Sequence, residues 1–253
     1  MNVLITGVGG FIASHIARKF IKEGYHVIGV DDFSGGKREN VPNGVEFIEG
    51  DLANQATINK IPKNCSYILH LAGQSSGEMS FDDPILDLRK NSISTLNLIN
   101  FGRNAQVKKM LFASSVSIYG SVGERALNEN DICDPSSCYG VSKLAGEGYL
   151  RIFSKELPYV NMRMFNVYGP GQDLDNLRQG MVSIYLAQAI KIGNIHIKVV
   201  SIGSGITFLS MMWLRHGIEQ LHEMMFPISV LILEQVSVLL LSSYSTLSKM
   251  NFQ

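Results

Sequence analysis

Residues 3–15 read Val3-Leu4-Ile5-Thr6-Gly7-Val8-Gly9-Gly10-Phe11-Ile12-Ala13-Ser14-His15. A short apolar run breaks into a glycine-rich turn, and a different periodicity starts behind it. Val3, Leu4 and Ile5 read as an uninterrupted apolar strand, the kind buried on both faces of a parallel sheet. From Phe11 the apolar residues recur at helical spacing, at Phe11, Ile12, Ile16, Phe20 and Ile21, and Gly24 supplies a stop after Glu23.

The same alternation continues outward. Strands are expected at His26 to Val30, Val45 to Ile48, Tyr67 to Leu71, Lys109 to Ala113 and Tyr159 to Phe165. Helices are expected at Asp82 to Ala105, with Pro84 tolerated in the first turn, and at Ser137 to Ser154. Strands alternating with helices mean βαβ units and a parallel sheet. A further helix is expected from about Met181 to Ile192. After Lys198 the alternation stops.

Two groups of residues carry chemistry. Gly7-x-x-Gly10-x-x-Ala13 joins the first strand to the first helix. Glycines there permit a tight turn and let backbone N–H groups at a helix N-terminus approach a pyrophosphate. Gly7, Gly10, Phe11 and Ile12 are therefore candidate dinucleotide contacts. Asp31 and Asp32 end the second strand, where a carboxylate accepts from a ribose 2′-OH and repels a 2′-phosphate. That favours NAD over NADP, with Arg38 nearby as the one counter-indication. Asp51-Leu52 follows the third strand and either touches adenine or, through Asp51, caps the next helix. Leu71-Ala72 ends the fourth strand, where small residues let the backbone pass close to a cofactor. His70 reads as a packed strand residue.

The second group is Tyr139 and Lys143, four residues apart on one helix face. An ammonium beside a phenol stabilises the phenolate and should bring the Tyr139 pKa down, making it a general base and acid. Ser115, at the end of a strand, can hydrogen-bond the same substrate oxygen.

Composition narrows the partners. Basic and acidic side chains balance at 22 each, which argues against nucleic acid. The three cysteines are odd in number and the six histidines are scattered, so neither a disulfide framework nor a metal site is expected, and a cytoplasmic setting fits. No signal peptide is read at the start. The apolar run Ile228 to Leu241 is interrupted by Glu234 and Gln235 and is short for a membrane span, so no membrane partner is expected.

The stretches TGVGGFIASH, DDFSGGKREN, GDL, HLAGQ, FASSVSIYG, YGVSK and RMFNVYGPGQ stand in that order over residues 1 to about 198. As a set they resemble the extended short-chain dehydrogenase/reductase family, in its NAD-dependent epimerase/dehydratase branch of nucleotide-sugar enzymes. The resemblance implies a Rossmann doubly wound α/β sheet over residues 1–170 and the start of a small, incomplete substrate-binding part over 171–198. It implies a Ser115/Tyr139/Lys143 triad, with Lys143 also on the nicotinamide ribose, Phe165 and Asn166 at the nicotinamide or sugar diphosphate, and a structural Asn91. Family dehydratases carry Asp-Glu after the catalytic Ser/Thr, where this chain has Val116 and Ser117. The implied reaction is thus C4 epimerisation of a UDP-hexose, UDP-glucose or UDP-glucuronate. A nucleotide 4-keto-sugar reductase and a catalytically dead NAD-binding protein are the alternatives. A homodimer through the helices Asp82 to Ala105 and Ser137 to Ser154 is the default.

The family's later motifs are missing after Lys198. Met211-Met212-Trp213 has only one possible coding sequence, ATG-ATG-TGG, and one base out of register it yields Asp-Val. In the same register Ser204-Gly205-Ile206 permits Arg-Asp, and Leu231 to Val236 permits Asn-Ile-Gly-Thr-Gly. These are the missing motifs in order. A frameshift near Lys198 to Val200 is expected, making residues 199–253 an out-of-frame tail.

Overall fold

The protein is described here by a computed structural model covering residues 1–121, 126–180, 183, 184, 187, 188 and 229–232. Strand β1 (Asn2–Thr6) leads through the glycine turn into α1 (Phe11–Lys22), followed by β2 (His26–Asp31) and β3 (Val45–Glu49). A short helix α2 (Gln55–Ile58) precedes β4 (Tyr67–His70). Next come α3 (Met79–Asp82), α4 (Pro84–Leu88), a π-helical turn at Arg89–Ile93 and α5 (Ser94–Asn104). Strand β5 (Lys109–Ser115), α6 (Cys138–Ile152), β6 (Tyr159–Met164) and β7 (Ser229–Ile232) follow, with short 3-10 turns at Arg38–Asn40 and Val116–Tyr119.

The strands form one parallel sheet in the order β3-β2-β1-β4-β5-β6-β7. The chain moves outward from β1 to β3, then returns to the other side of β1 with β4. In register, Ile5 lies opposite Gly29 on one side and Leu69 on the other. This is the doubly wound arrangement, and the crevice between β1 and β4 is where its ligands bind.

Alternation along each strand builds a core on both faces. Leu4, Ile28, Ile68, Met110 and Phe112 pack on one face with Leu98, Ile99 and Leu150 from α5 and α6. Val3, Ile5, Val27, Leu69 and Leu111 point the other way, toward Ala13, Ala17 and Phe20 of α1. Burial of a side chain the size of Phe20 stabilises by roughly 2–3 kcal/mol.

Where the structure departs from the sequence expectations, tertiary contacts are the cause. The single helix expected over Asp82 to Ala105 is divided. Asp83 caps α4 by accepting from Leu86 N at 2.9 Å, and Pro84 takes the first helical position. The π turn follows, at the point where Asn91 bonds Asp87 at 3.0 Å. Strand β5 runs two residues past Ala113, carried by pairing of Ser114 and Ser115 with β6. Strand β7 falls within residues 199–253, where no element was expected, and lies parallel to β6 with Asn161 opposite Val230. The helix expected over Met181 to Ile192 lies outside the described residues except at positions 183, 184, 187 and 188. Among the described residues no helix is long and apolar enough to cross a membrane.

One buried ion pair ties α6 to β5 and β6. Arg163 of β6 donates to both carboxylate oxygens of Glu147 on α6, at 3.0 and 2.7 Å, and to the Tyr119 hydroxyl at 2.6 Å. Ser114 of β5 donates to Glu147 at 2.5 Å. Both partners of the ion pair are buried, so removing one leaves a charge without compensation. Arg163→Met should lower unfolding free energy by about 3–5 kcal/mol, read as a reduced denaturant midpoint. A change below about 1 kcal/mol would show the pair to be dispensable.

Candidate active site

A cavity of about 670 Å³ runs along the β1/β4 crevice. The glycine turn, Asp31, Asp32, Asp51, Leu52, Leu71, Ala72, Ser115, Tyr139, Lys143, Phe165 and Asn166 all line it. Every residue singled out by the sequence for cofactor or substrate thus faces one space.

The turn is shaped by close approach. Gly7 has φ +73°, and a Cβ there would lie 2.8 Å from the Ala72 backbone nitrogen. Gly10 is the N-cap of α1, with no side-chain cap and no acidic residue in the first turn. The first N–H groups of this helix are left for a ligand, and the helix dipole favours an anion there. Asp31 closes the turn by accepting from Gly9 N at 2.9 Å and Phe33 N at 2.7 Å. Asp31 lines the cavity, and a carboxylate oxygen can accept more than one hydrogen bond. Burial raises the Asp31 pKa, the two N–H bonds opposing it. An uncapped helix N-terminus beside a buried carboxylate with spare acceptor capacity fits the pyrophosphate and ribose of a dinucleotide.

Asp32 plays a different part. It accepts from Ser34 N at 2.9 Å and pairs with Lys90, which also reaches Asp51 at 3.1 Å. Asp51 caps a turn at Ala53 N, 2.9 Å away, while Asn54 is the N-cap residue of α2. Arg38, the possible 2′-phosphate partner, pairs instead with Glu49 and lies 4.5 Å over the Phe33 ring.

At the other end Ser115 sits at the last position of β5. Its Oγ donates to Ser117 Oγ at 3.1 Å and accepts from Ser117 N at 3.2 Å, and it lines the same cavity as Tyr139. Ser137 caps α6 by accepting from Gly140 N at 3.1 Å, fixing the helix turn that carries Tyr139. One turn further along, Lys143 donates to Ala113 O at 3.0 Å.

The electrostatics correct one expectation. Lys143 does not bring Tyr139 down: burial pushes the phenol up to about 12, opposed by the Ser115 hydrogen bond and reinforced by Asp87. Burial also brings Lys143 down to about 8. The ammonium is turned to the Ala113 carbonyl and stands 5.7 Å from the Tyr139 ring centroid. In this dry setting desolvation outweighs attraction across that gap.

His70 is a packed strand residue, and its network is complete. Thr6 Oγ1 accepts from Leu71 N and Ala72 N at 3.2 and 3.1 Å, and therefore donates to His70 Nδ1 at 2.8 Å. That leaves Nε2 as the protonated nitrogen, donating to Thr95 Oγ1 at 3.0 Å, which donates to Asn91 O at 2.5 Å. The hydrogen-bond order fixes a neutral ring and seats the loop after β4 beneath the cavity.

Sequence reasoning missed Asp87, Lys90, Gln74 and Ser142. Asp87 precedes Asn91 by one helical turn, a spacing that could have flagged it. Nothing local marks Lys90 as the bridge between Asp32 and Asp51.

A glycine turn over an uncapped helix, a buried strand-end carboxylate and a Ser/Tyr/Lys set in one crevice define a Rossmann protein of the short-chain dehydrogenase/reductase type. Residues 3–207 match the NAD dependent epimerase/dehydratase family, and the chain belongs to that family. It is 33% identical over 194 residues to the UDP-glucose 4-epimerase of Mycolicibacterium smegmatis, covering 73% of this chain and 62% of that protein. The UDP-glucose 4-epimerase of Thermus thermophilus, solved with NAD, superimposes with a TM-score of 0.69 at 38% identity, over 75% of this chain and 61% of that one. The Thermotoga maritima enzyme, solved with UDP-glucose, gives 0.74 at 36% identity, over 78% and 65%. The chain therefore spans less than two thirds of the length of these relatives.

Burial brings the His70 pKa down to about 3, so the folded protein does not take up this proton until well below the ordinary histidine value of about 6.5. The unfolded chain does. Stability from the neutral ring is present above pH about 6.5 and is lost as pH falls toward about 3, by roughly 3–5 kcal/mol. Denaturant midpoints should fall with acidification across that window, and His70→Gln should remove about one proton from the slope. An unchanged slope would show that His70 charges in the folded state.

Proposed function

We propose that this chain carries the NAD-binding and proton-transfer half of a nucleotide-sugar 4-epimerase acting on a UDP-hexose, with UDP-glucose or UDP-glucuronate as the substrate. The observation that carries the reading is that Ser115, Tyr139 and Lys143 line the same cavity as the glycine turn and Asp31. On this reading residues 1–170 form the cofactor domain and residues 171–198 begin the substrate-binding part.

The pyrophosphate would rest on the N–H groups of Phe11 and Ile12, the adenosine ribose on Asp31, and the nicotinamide end beside Lys143 and Phe165. NAD bound there supplies the hydride acceptor and donor. Tyr139 takes the proton of the sugar 4-hydroxyl while Ser115 donates to the same oxygen. Once the 4-keto sugar has turned over and C4 has regained hydride, Tyr139 would return the proton to the 4-oxygen, which gives the epimer. Ser117 stands where a dehydratase would hold an acid, and its hydroxyl is no such acid, which supports epimerisation over loss of water. Asn166 lines the sugar end.

The dimer belongs to the same reading. α4 and α6 expose Ile85, Leu88, Val141 and Ile152, an apolar surface that suits a second copy of the chain. The three free cysteines suit a cytoplasmic setting. Residues 199–253 are read as an out-of-frame tail in place of the segment that would close over the sugar, so this form should hold NAD and turn over little.

Four measurements test this. Denaturing the purified protein should release NAD, identified by mass; a cofactor-free protein with no affinity for added NAD would overturn the reading. Restoring one base near codons 198–200 should yield UDP-hexose 4-epimerase turnover. In that background Tyr139→Phe should lower kcat by about 10²–10⁴-fold while NAD stays bound. Ile85→Asp should convert a dimer to a monomer in sedimentation, and a wild-type monomer would refute the dimer.

A further inference from the structure

Asp87 is fully buried on α4 and touches neither the glycine turn nor the strand ends. Its carboxylate accepts from Ser142 Oγ at 2.7 Å, from Asn91 Nδ2 at 3.0 Å and from Gln74 Nε2 at 3.0 Å. These donors come from the catalytic helix α6, the π turn and the loop after β4. Ser142 is the residue immediately before Lys143. Three neutral donors are an unusual environment for a buried charge, which ordinarily demands an opposite charge as well.

Lys143 presents the complementary problem. Its ammonium is 4% exposed and, among the described residues, has no carboxylate at ion-pair distance; its hydrogen bond goes to a neutral carbonyl. The charged and titratable groups around the pair can be named element by element. Helix α6 contributes Tyr139 and Lys143, and β4 contributes the neutral His70. The π turn contributes Arg89 and Lys90, both engaged with Asp51. Helix α3 contributes Asp82, paired with Arg178 at 2.7 Å. Asp87 is the acidic group left over, and Lys143 is the basic one.

We propose that Asp87 is a positioning residue, the buried counter-charge that keeps Lys143 an ammonium beside Tyr139 while its three donors tie α6 to the loop after β4. The proposal rests on the reading of Tyr139 and Lys143 as the proton-transfer pair and goes beyond it, because it assigns the charge of that pair to a residue that touches neither substrate nor cofactor. The physical basis is uncompensated burial on both sides. The Asp87 carboxyl is raised by burial and drawn back by Ser142, Asn91 and Lys143. Lys143, already down at about 8, has Asp87 as the influence opposing its burial. Without Asp87 the amine would lose its proton within the neutral range.

The test uses the full chain without added cofactor or sugar, so its outcome is separable from that of the epimerase reading. Lysine Nζ and Cε resonances, assigned with Lys143→Met, give the Lys143 titration directly. Asp87→Asn should move that midpoint down by about one unit or more. The reciprocal arm reads the Asp87 carboxyl carbon: Lys143→Met should move its midpoint up by a similar amount, since the influence of two sites on each other is mutual. This second arm decides the matter if Asp87→Asn does not fold. A Lys143 titration unmoved in Asp87→Asn, or an Asp87 carboxyl unmoved in Lys143→Met, overturns the proposal. Ser142→Ala, which removes a hydrogen bond and keeps the charge, should lower the melting temperature and leave the Lys143 midpoint within half of the Asp87→Asn displacement. Equal displacement in both variants would mean that packing, and not charge, sets it.

Discussion

The crossing of two backbones at the centre of the sheet constrains everything around it. Gly7 turns away from β1 so close to Ala72 that a single added carbon would lie 2.8 Å from a backbone nitrogen. Thr6 stitches the two chains by accepting from both Leu71 N and Ala72 N. This places the uncapped end of α1 over the crevice that opens where the strand order reverses. A side chain at position 7 would meet both a left-handed φ and a backbone wall, so the turn and the cavity beneath it are one feature.

The polar groups behind the cavity extend that order by hydrogen bonding. From Ala72 N–H the donors run through Thr6, His70 and Thr95 to the Asn91 carbonyl. Asn91 then donates to Asp87, and Asp87 accepts from Ser142 on α6. The loop after β4 and the helix bearing Tyr139 are therefore joined through buried polar contacts, each of which is costly to leave unmade. Glu147 and Arg163 fix the far side of the same helix against β5 and β6.

How far this was legible in the sequence depends on whether the signal was local. The strand, glycine turn and helix of residues 3–22 were readable because buried parallel strands and amphipathic helices leave different periodicities. Tyr139 and Lys143 were readable because four residues make one helical turn. Asp87 and Lys90 were not, because their partners come from distant segments and a carboxylate or an ammonium on a helix ordinarily faces water. The π turn was hidden for a related reason, since it changes the phase of a helix without changing its composition. The direction of the Tyr139 shift was misjudged because sequence shows that an ammonium is near but not how dry the site is. Strand β7 was missed because nothing in the apolar run around it distinguishes a sheet edge from any other surface.

The central claim is that one crevice receives a dinucleotide along the glycine turn with its reactive end against Tyr139. Backbone amide shifts of isotopically labelled protein, followed during addition of NAD, address it most directly. The account predicts concerted displacements at Gly9 to Ala13, at Phe33 and at Ser115 to Ser117, with the Tyr139 and Lys143 amides moving at the same ligand concentration. Displacements confined to surfaces outside the crevice, or movement at the glycine turn with none near Ser115 and Tyr139, would contradict it.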